Sequence, residues 1–296
     1  MRLRGTRLAQ QVAWSTVLQR RGYSTKNKMQ ASTRVGTALA EGRQSLGMWQ
    51  MIPGANVSRL LARSGVDWVC IDCEHGNIDD SAMHDAVPAV AALGVSPIVR
   101  IPDMQGWMVK RALDSGAHGI IVPLLRTVED AKQIVQAAKF PPIGRRGFGS
   151  PIAMERFDPV PTFTQYLRGA NDSILTIVQI ETQEALSSVD DIAAVEGIDV
   201  LFIGPFDLGN NIGHPIIDGV IPQQVSDALV KVQHACRKAG KKSGIYATGP
   251  EQARQFAEKG FEFISVATDY TTLEFTLKES FSVASRTPAP AKGKSY

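Results

Sequence analysis

No stretch of the sequence approaches the roughly 18 consecutive apolar residues of a bilayer-spanning helix, so no membrane insertion is expected. Cysteine is scarce. Cys70, Cys73 and Cys236 cannot build a disulfide framework, which makes a reducing compartment the default. Acid is missing from the first 40 residues, where Glu41 is the first carboxylate, while residues 1–34 carry eight Lys/Arg. Without that segment the net charge of +3 turns negative, so the body offers no general basic face for nucleic acid. A glycine-rich dinucleotide loop is also absent after the first apolar run, where Met48-Trp49-Gln50-Met51 stands. What remains is 44% hydrophobic and 21% charged over 296 residues, which is ordinary globular usage with ample material for a core.

Two ends are set apart from the fold. Residues 1–34 are Arg-rich, Ser/Thr-rich and amphipathic, which matches a mitochondrial transit peptide. Arg21-Gly22-Tyr23-Ser24 resembles a matrix-protease cleavage site. A mitochondrial matrix location is therefore expected. The alternative is a disordered tail, or a start at Met29, on a cytoplasmic protein. Residues 286–296 have the composition of a solvated tail, which leaves 35–285 as the folded domain.

Within that domain, short apolar runs alternate with segments of helical period. The runs are Leu46–Trp49, Trp68–Ile71, Pro97–Ile101, Gly119–Val122, Ile174–Ile180, Val200–Ile203, Ser243–Tyr246 and Phe261–Val266. Gly65, Gly94, Gly116, Gly197, Gly240 and Gly260 each follow a helical segment, where a left-handed cap is favoured. Eight β-α units in about 250 residues is the count of an α/β (β/α)8 TIM barrel. A doubly wound open sheet is the alternative. Residues 140–172 break the rhythm, and Gly144-Arg145-Arg146-Gly147-Phe148-Gly149-Ser150 within them reads equally as an anion cradle or a subunit contact.

In such a barrel the chemistry gathers at the C-terminal ends of the strands. Asp72, Glu74 and His75 follow the second run, and Arg100 ends the third. Gln179 and Glu181 end the fifth, Asp207 follows the sixth and Asp269 the eighth. Glu181 and Asp207 would supply oxygen-only ligation to Mg²⁺ or Mn²⁺; alternatively they cap the helices that follow. Asp72 stands where it would orient the His75 imidazole for acid–base work. The spacing Cys70-x₂-Cys73-x-His75 is only superficially zinc-like, because no second Cys/His pair accompanies it. No lysine falls at a strand end, which disfavours Schiff-base chemistry.

Asp72-Cys-Glu-His75, Val99-Arg100, Arg146-Gly-Phe-Gly-Ser150, Val178-Gln-Ile-Glu-Thr182 and Ile203-Gly-Pro-Phe-Asp-Leu208 together resemble the HpcH/HpaI aldolase family over roughly residues 42–282. The resemblance implies a class II aldehyde-lyase that cleaves a 4-hydroxy-2-oxo acid reversibly to pyruvate and an aldehyde through a metal-stabilised enolate. A related lyase acting on a CoA ester or phosphoenolpyruvate-type substrate is the alternative. It implies Glu181 and Asp207 as metal ligands, Gln179 as the holder of the pyruvyl group, His75 as proton acceptor and Arg100 as stabiliser of the enolate oxygen. It further implies that Asp114 reaches a neighbouring subunit's histidine and that the protein is a homo-oligomer, typically a hexamer whose last helix packs on a partner. Two positions depart from the family pattern: Phe206, at a substrate-binding position where a small residue is usual, and Cys73, where glycine is common. Both bear on which substrate is taken.

Overall fold

The computed structural model describes Met29 and residues 32–287. Eight parallel strands close into a barrel in sequence order. They are β1 (Ser45–Gln50), β2 (Trp68–Asp72), β3 (Ser96–Arg100), β4 (Gly119–Val122), β5 (Leu175–Gln179), β6 (Val200–Ile203), β7 (Lys242–Ile245) and β8 (Phe263–Thr268). The closing β1–β8 pairing slips between Gly47 and Met48. Each run expected from the sequence is a strand, because parallel strands covered on both faces need apolar residues at nearly every position.

Twelve helices are found among the described residues. They run as α1 (Arg34–Ala40), α2 (Ala55–Ala62), α3 (Asp80–Ala91), α4 (Gly106–Asp114), α5 (Val128–Ala138) and α6 (Phe163–Ser173). Then follow α7 (Gln183–Ser187), α8 (Val189–Ala193), α9 (Pro205–Asn211), α10 (Gln223–Ala239), α11 (Pro250–Glu258) and α12 (Asp269–Ser285). The six helix-closing glycines all take left-handed backbone, with φ between +68° and +97°. The helical pattern across 182–195 divides at Ser188, whose ψ of 15° ends α7 and opens α8.

The barrel interior is filled by Trp49, Trp68, Cys70, Ile98, Ile121, Ile177, Val200, Phe202 and Phe263. Trp68 stacks on Phe263 at 4.1 Å and 5°. Gly47 makes this possible: a Cβ there would lie 1.9 Å from the Trp68 ring. A second, larger apolar layer lies between strands and helices.

The N-terminal boundary of the fold lies earlier than residue 35. Thr33 caps α1 by accepting the Gly36 N–H, and Arg34 and Arg43 both pair with the buried Asp67. The basic composition that points to a leader therefore includes one side chain, Arg34, that belongs to the barrel's lower end. The rest of the expected leader, apart from Met29, Ser32, Thr33 and Arg34, lies outside the described residues, as does the tail beyond 287.

The long 140–172 connection sits between the C-terminus of α5 and the start of β5, at the end opposite the strand C-termini. Arg146, read from the sequence equally as part of an anion cradle or of a subunit contact, is buried there. It reaches Asp114 at 3.3 Å, donates to the Tyr166 hydroxyl at 3.3 Å, and lies 4.7 Å above the Phe140 ring. Its charge is thus spent on holding the loop. Lys139 is a second pin, donating to the carbonyls of Asn171 and Ile174 and to Asp199.

His118 ties the same connection to β4. Its Nε2–H donates to the Arg156 carbonyl at 2.7 Å and its ring stacks on Phe157. Burial holds its pKa down at about 4, against an ordinary 6.5. The unfolded chain therefore takes up a proton between those pH values that the folded chain refuses. Stability from this group is whole above about pH 6.5 and falls toward pH 4, by up to roughly 3 kcal/mol. Urea midpoints measured across that range should lose this acid dependence in His118→Phe.

Candidate active site

Three strands deliver their last residues to one place. Asp72 ends β2, Arg100 ends β3 directly opposite it in register, and Gln179 ends β5. The Arg100 guanidinium donates through Nε to Asp72 Oδ1 at 2.9 Å and through Nη2 to Oδ2 at 2.6 Å. Nη1 lies 3.0 Å from Glu74 Oε2 and donates to Gln179 Oε1 at 3.4 Å, while the Trp49 ring lies 4.4 Å beneath. Burial works against the charge, yet the hydrogen bonds and charges of Asp72 and Glu74 more than offset it and hold the arginine above its usual pKa. This cation is fixed and permanent.

Glu181, two residues beyond β5, is buried under the same floor. Its Oε1 accepts the Leu124 N–H and its Oε2 accepts Gln179 Nε2, both at 2.7 Å. Leu124 adopts a left-handed φ of 53°, a strained backbone for leucine that aims its N–H at the carboxylate. Burial, with the charges of Asp207 and Glu74, lifts the Glu181 pKa to about 7, although the Leu124 N–H and Arg100 oppose this. Asp207 is exposed in the first turn of α9, beside the half-buried Phe206. Glu74 is likewise raised, by burial first and then by Asp72 and Asp207. Four carboxylates, Asp72, Glu74, Glu181 and Asp207, therefore share a region with one guanidinium. Among the described residues no three His/Cys/Asp/Glu side chains form a metal-ligating group, so a two-carboxylate site would leave its other positions to water and substrate.

His75 stands at the rim with its side chain 61% exposed. Asp72 does not orient the imidazole as the sequence suggests. Both its oxygens are taken by Arg100, and Oδ1 also accepts the backbone N–H groups of Glu74 and His75. The imidazole's acidic neighbour is Glu74, whose Oε2 lies 3.8 Å from Nε2. Asp269 is a brace: its carboxylate accepts the Met51 and Ile52 N–H groups at 3.0 Å and shapes the loop after β1. Cys70 is buried inside the barrel and Cys73 half-buried.

Asp114 ends α4 at the other end of the barrel, paired with Arg146. Within one chain it does not join the site. The sequence left three contributors without roles: Glu74, Trp49 and the Leu124 N–H. The first two stand at strand ends and were open to the same positional logic. The third depends on one backbone angle and leaves no trace in residue type.

A cleft of about 940 Å³ opens over this floor, lined by Asp72, His75, Arg100, Gln179 and Asp207 together with aromatic residues. The family model for HpcH/HpaI aldolase/citrate lyase matches residues 45–274. The chain is 38% identical over 268 residues to a hydroxypyruvate/pyruvate aldolase of Deinococcus radiodurans, covering 88% of this chain and 94% of that one. It is 36% identical over 239 residues to a 4-hydroxy-2-oxo-heptane-1,7-dioate aldolase of Klebsiella pneumoniae, covering 80% and 88%. The crystal structure of an HpcH/HpaI aldolase/citrate lyase family protein from Burkholderia cenocepacia superposes with a TM-score of 0.75 at 32% identity, covering 88% of this chain and all of that one. These relatives are bacterial proteins, from cells that have no mitochondrion. They overturn the expectation of a mitochondrial matrix enzyme with a transit peptide, and the cytoplasmic alternative fits them.

Proposed function

The chain belongs to the HpcH/HpaI aldolase/citrate lyase family, and from that premise we propose that it cleaves a 4-hydroxy-2-oxo acid reversibly to pyruvate, or a close 2-oxo acid, and an aldehyde. It is a carbon–carbon lyase. The observation that carries the reading is one cluster in which the fixed Arg100 and the exposed Asp207 line the cleft, with the buried Glu181 joined to Arg100 through Gln179.

His75, exposed to water, takes the proton of the 4-hydroxyl, directly or through one water. As the carbonyl of the aldehyde forms, the C3–C4 bond breaks and its electron pair passes into the enolate of pyruvate. His75 then returns the proton to C3. Arg100 presents a charge where the enolate oxygen develops. Asp72 and Trp49 already hold it in place, so little reorganisation is required during the reaction. Gln179, tied to both Arg100 and Glu181, positions the 2-oxo acid between them.

The donor set fits a divalent cation. Glu181, Asp207 and Glu74 carry more negative charge than Arg100 offsets, and every donor is an oxygen, as hard Mg²⁺ or Mn²⁺ prefers. Held by Glu181 and Asp207, the cation would supply Lewis acidity toward the oxygens of the 2-oxo acid. Gly204 keeps the space for this: a Cβ there would fall 2.5 Å from Glu181 Oε2. Gly204→Ala should displace the carboxylate and weaken Mn²⁺ binding, read by calorimetry, by roughly 10–100-fold in a folded protein.

A CoA-ester substrate finds less support, because it calls for a basic entrance and Arg146 is buried at the opposite end of the barrel. A homo-oligomer, for which the hexamer is the expected form, finds support in the exposed face of α12. This helix buries only Asp269 and Ser282 and leaves Leu273, Leu277 and Phe281, four residues apart, exposed on one face. Asp114 would meet a His75 only in such an assembly.

Coupled detection of pyruvate over a panel of 4-hydroxy-2-oxo acids tests the activity. Release that stops on chelation and returns with Mg²⁺ or Mn²⁺ is expected. No pyruvate from any member, or release indifferent to EDTA, would contradict it.

A further inference from the structure

Much of the cleft lining is aromatic. Trp49 meets Phe202 and Tyr246, each at 6.0 Å between ring centroids, and its face carries the Arg100 guanidinium. Phe206 and Tyr270 continue the apolar lining toward the opening. The Tyr246 hydroxyl is bonded to Thr268 Oγ1 at 3.0 Å, which holds the ring against the wall.

Charge is distributed differently. Among the described residues lining the cleft, the basic side chains are Arg100 and His75. Arg100 is engaged by Asp72, Glu74 and Gln179, and His75 is the acid–base group at the rim. Asn77 and Asn210, both exposed, offer hydrogen bonds but no charge. A carboxylate, sulfonate or phosphate at the far end of an incoming aldehyde would lose its hydration against rings, with Asp207 nearby.

We infer that the aldehyde half of the substrate is uncharged and carries an apolar or aromatic substituent, seated on Phe206, Tyr246 and Tyr270. This rests on the lyase reading above and concerns only the second reactant. The enolate half is selected by the charged floor. The aldehyde half is selected by ring contact, so Phe206 and Tyr246 are specificity-determining residues.

The experiment runs the reaction in the direction of C–C bond formation, with the full chain, pyruvate, Mn²⁺ and four aldehydes. Pyruvate loses a methyl proton, its C3 bonds to the aldehyde carbon, and the new alkoxide takes a proton. Benzaldehyde and isobutyraldehyde should exceed succinic semialdehyde and glyceraldehyde 3-phosphate in kcat/KM by roughly tenfold or more. Phe206→Ala and Tyr246→Leu should each narrow that ratio by about tenfold, the scale on which apolar pocket contacts discriminate. A general loss of fold would lower all four rates together and leave the ratio unmoved. Deuterium exchange into the pyruvate methyl group, measured without aldehyde, separates the two layers. Exchange accompanied by equal rates for all four aldehydes, by preference for the charged ones, or by ratios unchanged in both variants overturns the inference and leaves the lyase reading intact. Absence of exchange with Mn²⁺ overturns the lyase reading itself, and the inference with it.

Discussion

Glu181→Gln should lower kcat by roughly 10³-fold or more while the barrel stays folded, because in the proposed reading the carboxylate supplies several kcal/mol through a bound cation. The amide has the same shape, so the Leu124 N–H keeps an acceptor at this position. Stability should move the other way in metal-free protein. Burial, assisted by Asp207 and Glu74, lifts this carboxyl to about 7 from an ordinary 4.5. The folded state binds the proton more tightly, so its contribution to stability is whole below about pH 4.5 and is lost as pH rises through 7. At pH 8 the buried charge costs roughly 3 kcal/mol, which the amide removes. Differential scanning calorimetry of chelated proteins should therefore give the variant a higher Tm than wild type at pH 8 and an equal one near pH 4. A variant less stable than wild type at pH 8 would mean that the carboxylate is an ordinary structural acceptor.

His75→Ala is expected to cost 10²–10⁴-fold in kcat, the range of a positioned acid–base group, with little change in Tm because the side chain is largely exposed. Mn²⁺ affinity should survive, since imidazole is not a ligand here. Asp72→Asn provides the contrast. Were Asp72 the partner of the imidazole, the loss would appear as a shifted pH–rate profile. Asp72 instead holds Arg100 in a bidentate pair, and breaking a buried pair is costly. The expected outcome is a fall in kcat accompanied by a Tm lower by several degrees, with the limb of the pH profile that reports His75 unmoved. A shifted limb at unchanged Tm would restore the direct Asp72–His75 contact that the geometry denies.

Much of this was legible from residue order alone. Strands buried on two faces leave unbroken apolar runs, and helix-ending glycines leave a left-handed requirement that few other residues meet, so the β-α rhythm survives in one dimension. The site was legible for a related reason: in a parallel barrel the last residue of each strand shares a rim, which brings Asp72, Arg100 and Gln179 together without knowledge of any contact. What failed were pairings decided across the fold. Arg146 reads as free because Asp114, Phe140 and Tyr166 come to it only when the 140–172 connection packs. Asp72 reads as the histidine's partner because they are three residues apart, whereas Arg100, 28 residues away, wins both oxygens through strand register. Helix α9 leaves little trace in the sequence because Pro205-Phe-Asp-Leu-Gly-Asn-Asn211 is short and poor in helix formers, and Gly209 is kept there by the His214 carbonyl, 2.9 Å from where a Cβ would stand.

The central claim, a cation-dependent enolate formed over Glu181, Asp207 and Arg100, is tested most directly by deuterium uptake into the pyruvate methyl group in D₂O, followed by proton NMR with no aldehyde present. Chelated wild-type protein should leave the methyl signal constant, added Mn²⁺ should start the exchange, and Glu181→Gln should stay silent at the same Mn²⁺ concentration. Exchange at the wild-type rate in the chelated protein, or in Glu181→Gln, would show that the enolate forms without the carboxylate pair.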